Sequence, residues 1–433
     1  MYLFLKGFKI LKTFKILAIF TFQLRSMNNH SEENKISKDK NVLVVLNNSQ
    51  EINTELQYII DHFCGTVVHE LSPELGHQKI YICGDLKNIQ KDHHFLHIIK
   101  EFSVNFENIS EEKSKVIQTG EVPVIVSNAG VYFRKIFHEE NIFEKVKSEH
   151  HFQELTESNK EAKALRKGIY LSKVTHEADE NGEEMLHFNL LRCSSNLTGP
   201  TDNFRETDRK IIALLNECAK ETFEYETDLN HALVQIYENK KKTSDAEKEV
   251  KAKIKAHSDK TKDMPKEGLI AFCTFYDHSN SEHLKPSETD RFDVCYKQTS
   301  ALTRLHFRLK KTVEDESLEK EFTITLYPDS AFIIPLSTNR LYTHEIRPSV
   351  LGVDQIPIRM GYVVRCSNLE AIYRDNQTYI RENDNYVKLE SMTPEMQTEL
   401  RNSYYEENMT ENRVNYKTTH FSMNLGDYEK PIL

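Results

Sequence analysis

The chain has no tryptophan, and its seven cysteines (64, 83, 193, 218, 273, 295 and 366) form no Cys-x-x-Cys pair. Any ring stacking therefore falls to Tyr, Phe or His. A scattered, odd set of cysteines argues against a disulfide scaffold and fits free thiols in a reducing compartment. A cationic excess is missing too: 57 Lys and Arg stand against 67 Asp and Glu, a net charge of −10 over 433 residues. That excludes a basic surface over the whole molecule, though not a local basic groove. Hydrophobic residues make up 38%, which is low for a fully packed chain and predicts long polar loops or tails. No integral membrane segment is expected. In the apolar N-terminus the longest uncharged stretch, Ile16 to Leu24, is nine residues, against about 20 for a bilayer-spanning helix.

That N-terminus is the first feature present. Residues 1–26 carry Lys6, Lys9, Lys12 and Lys15 among apolar residues, and no acid precedes Glu32. A mitochondrial-type targeting helix would read this way. So would an upstream extension with Met27 as the natural start, leaving an intracellular protein, cytoplasmic or nuclear. Residues 27–40 are polar, so 1–40 is taken as an extension of low complexity. From residue 41 the texture changes. A buried strand at 41–46, a helically spaced apolar set over 51–63 and short strands at 66–71 and 79–83 predict a small α/β domain over 41–120. Cys83-Gly84-Asp85 is too little for a phosphate loop, so an accessory domain that meets a protein partner is expected.

Beyond residue 123 the spacing predicts many short strands with a few helices. Strands are read at 123–126, 131–133, 166–174, 185–191, 229–237, 268–276, 301–309, 322–327 and 331–336. The pairs 166–174 with 185–191 and 322–327 with 331–336 alternate as hairpins would. Helices are read at 142–152 and 207–223, the second with Asp208 as a cap. The linker 194–201 is a loop by composition. Such a series suggests a double-sheet jelly roll. Residues 376–433 read as a tail with one helix near 394–405.

The chemistry gathers late. His257-Ser-Asp259 puts two metal-capable side chains two residues apart, able to share a strand face. Downstream come His344 and then Arg359-Met-Gly-Tyr-Val-Val-Arg365. Two neutral imidazoles and a carboxylate on one face of an octahedron suit non-haem iron(II) with open positions. The arginines are six apart (365 − 359 = 6), so on a strand both point the same way, and buried guanidinium groups demand anions. By itself His-x-Asp occurs by chance in many proteins, and the arginines could be ordinary surface residues. The apolar Tyr362-Val-Val between them argues against that.

The order of these motifs resembles the AlkB-type iron(II)/2-oxoglutarate dioxygenases: a strand ending in Asn-x-Tyr, then His-x-Asp, a distal His and Arg-x5-Arg. Here Gln235-Ile-Tyr237 stands at the first position. The resemblance spans 125–375 and implies an α+β fold, a double-stranded β-helix (jelly roll) with flanking helices preceded by the small α/β domain. It implies that His257, Asp259 and His344 ligate Fe(II). Tyr237, Gln235, Arg359 and Arg365 would then hold 2-oxoglutarate, with O2 as second co-substrate. No catalytic residue beyond the metal site is expected. The implied reaction is C–H hydroxylation, giving demethylation when the carbon is an N-methyl group, on a methylated base in DNA or RNA. Tyr170 and Tyr276 are the candidates to stack a flipped base. Two rival readings remain: a dioxygenase acting on a protein or small metabolite, and a catalytically silent binding module.

This sequence departs from the family pattern in places. Gln235 replaces the usual Asn, Gly361 stands where an Asn is common, and 85 residues separate Asp259 from His344 (344 − 259 = 85). Glu288-Thr-Asp290 lies nearer to His344 and competes for the metal role. His278, His283 and His306 are read as surface or packing residues. The lysine run 240–255 is a solvated helix face or, beside the site entrance, a phosphate-contacting lid.

Overall fold

The computed structural model describes residues 33–433 apart from short internal segments at 47–52, 73–74, 77, 90–93, 108, 157–162, 179–181, 183, 194–196, 242–247 and 280. The N-terminal targeting stretch and the middle of the lysine run lie outside the described residues, as does part of the 194–201 linker. Residues Asn34–Leu433 form one compact unit. Among the described residues no helix is long and apolar enough to cross a membrane.

The unit begins with five strands: β1 (Asn41–Val45), β2 (Thr66–Val68), β3 (Lys79–Asp85), β4 (Leu96–Val104) and β5 (Ser114–Ile117). They form a parallel sheet in the order β2-β1-β3-β4-β5. Helix Thr54–His62 covers one face through Ile59. Both faces of β1 are buried, as parallel strands require.

The remaining strands are mostly antiparallel. They are β6 (Val124–Val126), β7 (Gly130–Phe133), β8 (Gln153–Thr156), β9 (Lys163–Ser172), β10 (Thr175–Ala178), β11 (Glu184–Leu190), β12 (Asp202–Asn203), β13 (His231–Tyr237), β14 (Ile254–His257), β15 (Leu269–Tyr276) and β16 (Lys285–Pro286). After them come β17 (Val294–Tyr296), β18 (Thr299–Ser300), β19 (Arg304–Leu309), β20 (Glu321–Thr325), β21 (Ser330–Pro335), β22 (Tyr342–Arg347) and β23 (Arg359–Arg365). Last are β24 (Leu369–Arg374), β25 (Gln377–Glu382) and β26 (Asn385–Lys388). The major sheet runs β12-β9-β13-β23-β15-β21-β7-β6, and a minor sheet runs β14-β22-β19-β20.

Period-two alternation explains how the sheets pack. Met360, Tyr362 and Val364 of β23 point to one core, with Ala232, Val234 and Ile236 of β13. Helix Glu206–Thr222 presses Ile211, Leu215, Cys218 and Ala219 into that core, at one-face helical spacing. The other face of the major sheet meets the minor sheet: Ile270, Phe272, Phe332 and Ile334 pack with Leu305, Phe307, Phe322, Tyr342 and Ile346. Two antiparallel sheets enclosing one core is a jelly-roll-like arrangement. It leaves the odd-numbered residues of β23 and β13 (Arg359, Gly361, Arg365, His231, Gln235, Tyr237) on the inner face.

Four expectations change. Strands β9 and β11 do not pair: β9 joins β8, β12 and β13, while β11 joins β10 and β24. Strands β20 and β21 do not pair either. Each lies in a different sheet, and the chain crosses at Asp329, in left-handed conformation (φ 61°). Alternation identifies a strand but not its partner, which long-range packing selects. The tail is more structured than composition suggested, with β25 and β26 extending the β10-β11-β24 sheet and a helix over Pro394–Met409. Asp208 caps its helix from the N3 position, accepting from the Arg205 backbone N–H at 2.7 Å.

Candidate metal centre

The minor sheet brings His257 and His344 together. They are directly opposed in the β14–β22 ladder, and their rings lie 4.5 Å apart, centroid to centroid. Asp259 follows two residues after the end of β14. Its Oδ1 lies 3.5 Å from His257 Nε2 and 3.8 Å from His344 Nε2. One ligand atom from each residue falls within 4.8 Å of the others. Metal bonds of about 2.1 Å at right angles set donors about 3 Å apart, so the cluster is slightly wider than a closed coordination shell.

Each donor is oriented by a second contact. His257 Nδ1 faces the Lys255 carbonyl at 2.9 Å. The carbonyl can only accept, so Nδ1 carries a proton, and Nε2 is the atom left toward Asp259. Asp259 Oδ2 is taken by Arg365, at 2.8 Å from Nε and 2.6 Å from Nη2, leaving Oδ1 free. Burial raises the Asp259 carboxyl pKa, but Arg365, with the hydrogen-bonding His257, outweighs it and holds the group well below the usual range. Burial, with His257 beside it, pushes the His344 pKa down to about 3, so this imidazole is neutral. Its ring meets Phe272 at 5.3 Å and Phe307 at 5.6 Å, and its buried Nδ1 has no partner. Two imidazoles, that of His344 neutral, and an ionised carboxylate with one free oxygen form a donor set that fits a divalent metal.

Composition gave little sign of the supports of this loop. Asn339 reads the Asp259 backbone twice: its Oδ1 accepts from Asp259 N, and its Nδ2 donates to Asp259 O, both at 2.8 Å. The C-terminal helix holds the other side. Asn408 Oδ1 accepts from Ser258 N at 2.7 Å, and Glu407 Oε1 accepts from Thr261 N at 3.0 Å. Lys310 Nζ anchors that helix end through the carbonyls of Glu407 (2.7 Å) and Thr410 (3.0 Å). Buried Arg192 clamps Asp263 with Nη2 at 2.8 Å and donates through Nη1 to the carbonyls of Thr419 and Phe421. The tail therefore belongs to the site's scaffold. The signal present in sequence was the dense polar patterning of 404–412, which composition alone cannot assign.

The other expected residues lie across the major sheet. Tyr237 is directly opposite Arg359 in the ladder, and Gln235 is opposite Gly361. The Arg359 guanidinium stands 4.0 Å above the Tyr237 ring, and the Tyr237 hydroxyl donates to Gln235 Oε1 at 3.0 Å. Arg359 is buried, and its Nη2 has no partner. Arg365 Nη1 is also without a partner. Gly361 explains its own departure: a Cβ there would come within 3.0 Å of Arg359 Nη1 and 3.2 Å of Tyr237 Cε2.

The competing residues fall elsewhere. Asp290 accepts from the Tyr327 hydroxyl at 2.5 Å and from Phe292 N at 3.0 Å, and Glu288 is exposed. His306 is buried, with Nδ1 on the Thr323 hydroxyl at 2.7 Å, whereas His278 and His283 are exposed. Tyr170 and Tyr276 are buried in the protein core. The Tyr170 hydroxyl meets Cys193 Sγ and the Tyr276 hydroxyl meets the Leu326 carbonyl, so neither offers a face to solvent. Of the lysine run, Lys241 pairs with Asp354, and Lys251 donates to the Ser349 carbonyl. All seven cysteines are free.

A second cluster, Glu149, His150 and Asp208, also has metal-ligand composition. His150 there meets Asp202 through Nδ1 and Asp208 through Nε2, each at 2.8 Å. Both partners can only accept, so both ring nitrogens donate, and the imidazolium has no lone pair for a metal.

No family model matches the chain, and no curated protein matches it. Among solved structures, "The structure of OsALKBH1" aligns over 55% of this chain and 96% of that one, at 12% identity and a TM-score of 0.31.

Proposed function

We propose that the chain is an Fe(II)- and 2-oxoglutarate-dependent dioxygenase of AlkB type. Its catalytic domain would be a double-stranded β-helix over 125–375, with 41–120 as an accessory domain. The observation that carries this reading is the Asp259 carboxylate: Arg365 occupies one oxygen, and the other faces Nε2 of two imidazoles. A carboxylate so divided is prepared for one metal bond. An iron(II) ion bound there would supply O2 activation coupled to the decarboxylation of 2-oxoglutarate to succinate.

The residues around it would bind and orient the co-substrate. Arg359 has a buried, unpartnered Nη2 against the Tyr237 ring, and Arg365 has a free Nη1 on the same strand face. A dicarboxylate would satisfy both, with charge-assisted bonds of roughly 1.5–3 kcal/mol each. Gly361 leaves the space between them clear. Phe272 and Phe307 keep water from the His344 side. The proposed substrate is an N-methyl group on a nucleobase, demethylated after hydroxylation.

Two assays test this reading. Iron-dependent conversion of 2-oxoglutarate to succinate should occur in the wild type and vanish in His257→Ala. Absence of turnover in the metal-loaded wild type would leave a silent binding module instead. Formaldehyde release from methylated oligonucleotides tests the substrate, and succinate formation coupled only to a protein or metabolite would replace it.

A further inference from the structure

A separate cleft of about 390 Å³ lies where the helix Thr54–His62 meets β20 and the loop before β17. Arg134, immediately after β7, lines it. Its guanidinium carbon lies over two rings, 5.3 Å from the Tyr58 centroid and 4.6 Å from that of Phe292. The residue is 7% exposed, and its buried Nε and Nη2 have no hydrogen-bond partner. The unpartnered Nε and Nη2 form one edge of the guanidinium, the fork that fits a carboxylate.

Glu55, in the first turn of that helix, lines the same cleft. Its Oε2 accepts from Arg291 Nε at 2.9 Å, while its buried Oε1 has no partner. Burial raises the Glu55 pKa, with Arg291 and Arg134 opposing it. Asp290, the other acid in the lining, is committed to Tyr327 and Phe292. The cleft thus pairs an unmet donor edge with an unmet acceptor. A buried orphan of either kind costs roughly 1–3 kcal/mol, more when charged. The N-terminal end of the helix adds a further preference for negative charge.

We propose that this cleft binds a small 2-amino or 2-hydroxy acid. The carboxylate sits on the Nε–Nη2 edge of Arg134, and the neighbouring ammonium or hydroxyl donates to Glu55 Oε1. The two ligand types share one chemistry, an oxyanion with a donor on the adjacent carbon. The site is independent of the metal centre and of the dioxygenase reading.

The test is calorimetric titration of the full chain with L-serine, L-lactate and acetate. Serine and lactate should bind saturably, and acetate, which lacks the donor, at least tenfold more weakly. Arg134→Met should weaken both ligands at least tenfold, whereas Arg359→Met should leave them unchanged. Glu55→Gln should weaken serine and spare lactate, because only the ammonium needs the charge. Hydrogen exchange on the wild type gives a test that needs no variant: bound ligand should protect residues 54–58 and 289–292. The proposal is overturned by the absence of saturable binding, by equal binding to Arg134→Met, or by protection confined to β23.

Discussion

Among the described residues two clusters have the composition of a metal site, and they differ in how their imidazoles are paired. In His257–Asp259–His344, the one Asp259 oxygen that Arg365 leaves free faces Nε2 of both rings, at 3.5 and 3.8 Å. In the cluster around His150, the ring itself is fully matched: Asp202 and Asp208 take both ring protons, and Asp208 also accepts from the Tyr362 hydroxyl at 2.9 Å, although Glu149 beside it keeps a buried Oε2 without a partner. The residue types are nearly the same. A positively charged ring closes the second cluster electrostatically, while the first has the composition and spacing that could take a cation from outside. Unpaired donor atoms, rather than composition, separate a ligand site from a structural ion pair.

The sharpest way to break this contrast is to remove one ligand from each cluster. His257→Ala should abolish tight binding of Fe(II) or Mn(II) in anaerobic titration, with little loss of stability, because the side chain is 39% exposed. Asp259→Ala should abolish binding and also destabilise the fold by roughly 3–5 kcal/mol, since it strands the buried Arg365 charge. His150→Ala should cost a similar ~3–5 kcal/mol by removing the cation between two buried carboxylates, leaving Asp208 without a charged partner and Asp202 with Arg205 alone, yet leave metal affinity intact. Urea unfolding measured beside metal titration separates the effects. If His150→Ala loses the metal while His257→Ala keeps it, the assignment of the two clusters is reversed.

A change of pH probes the closed cluster without mutation. Burial alone would lower the His150 pKa, but Asp202 and Asp208 outweigh it and lift it to about 9. The folded value lies above the unfolded one of about 6.5. The ion pairs therefore stabilise the fold fully below about pH 6.5, and the contribution is lost as pH rises through about 9. The urea midpoint of the wild type should fall across that window. His150→Ala, lacking the group, should show a flatter profile there, and parallel profiles would show that other groups control the alkaline limb.

The same contrast explains how much of the molecule was legible beforehand. The helices at 142–149 and 206–222 and most core strands announced themselves by periodicity, which is a local property. The inner-face placement of Arg359 and Arg365 followed from even spacing on one strand. Strand partners were not legible, because β9 and β21 carry alternation that several neighbours could satisfy. Neither were the loop's supports: Asn339 is 80 residues from Asp259, and Asn408 is 150 residues from Ser258. A hydrogen bond across such separations leaves no periodic trace. The polar C-terminal segment resembled a solvated tail for that reason, although its helix touches the metal loop.

The smallest expected effect tests that last contact. Asn408 spends its side-chain oxygen on the backbone N–H of Ser258, the residue between His257 and Asp259. Asn408→Ala leaves that N–H without its partner and should cost about 1 kcal/mol in unfolding free energy. No ligand atom changes, so metal binding survives. The loop loses one of the bonds fixing the angle between His257 and Asp259, whereas Asn339 still holds Asp259 from the other side. Metal affinity should therefore fall by about tenfold, the lower end for residues that orient ligands. Asn408→Asp keeps the acceptor and should restore most of the affinity. If the alanine variant binds metal as tightly as the wild type, the helix stabilises the fold without shaping the site.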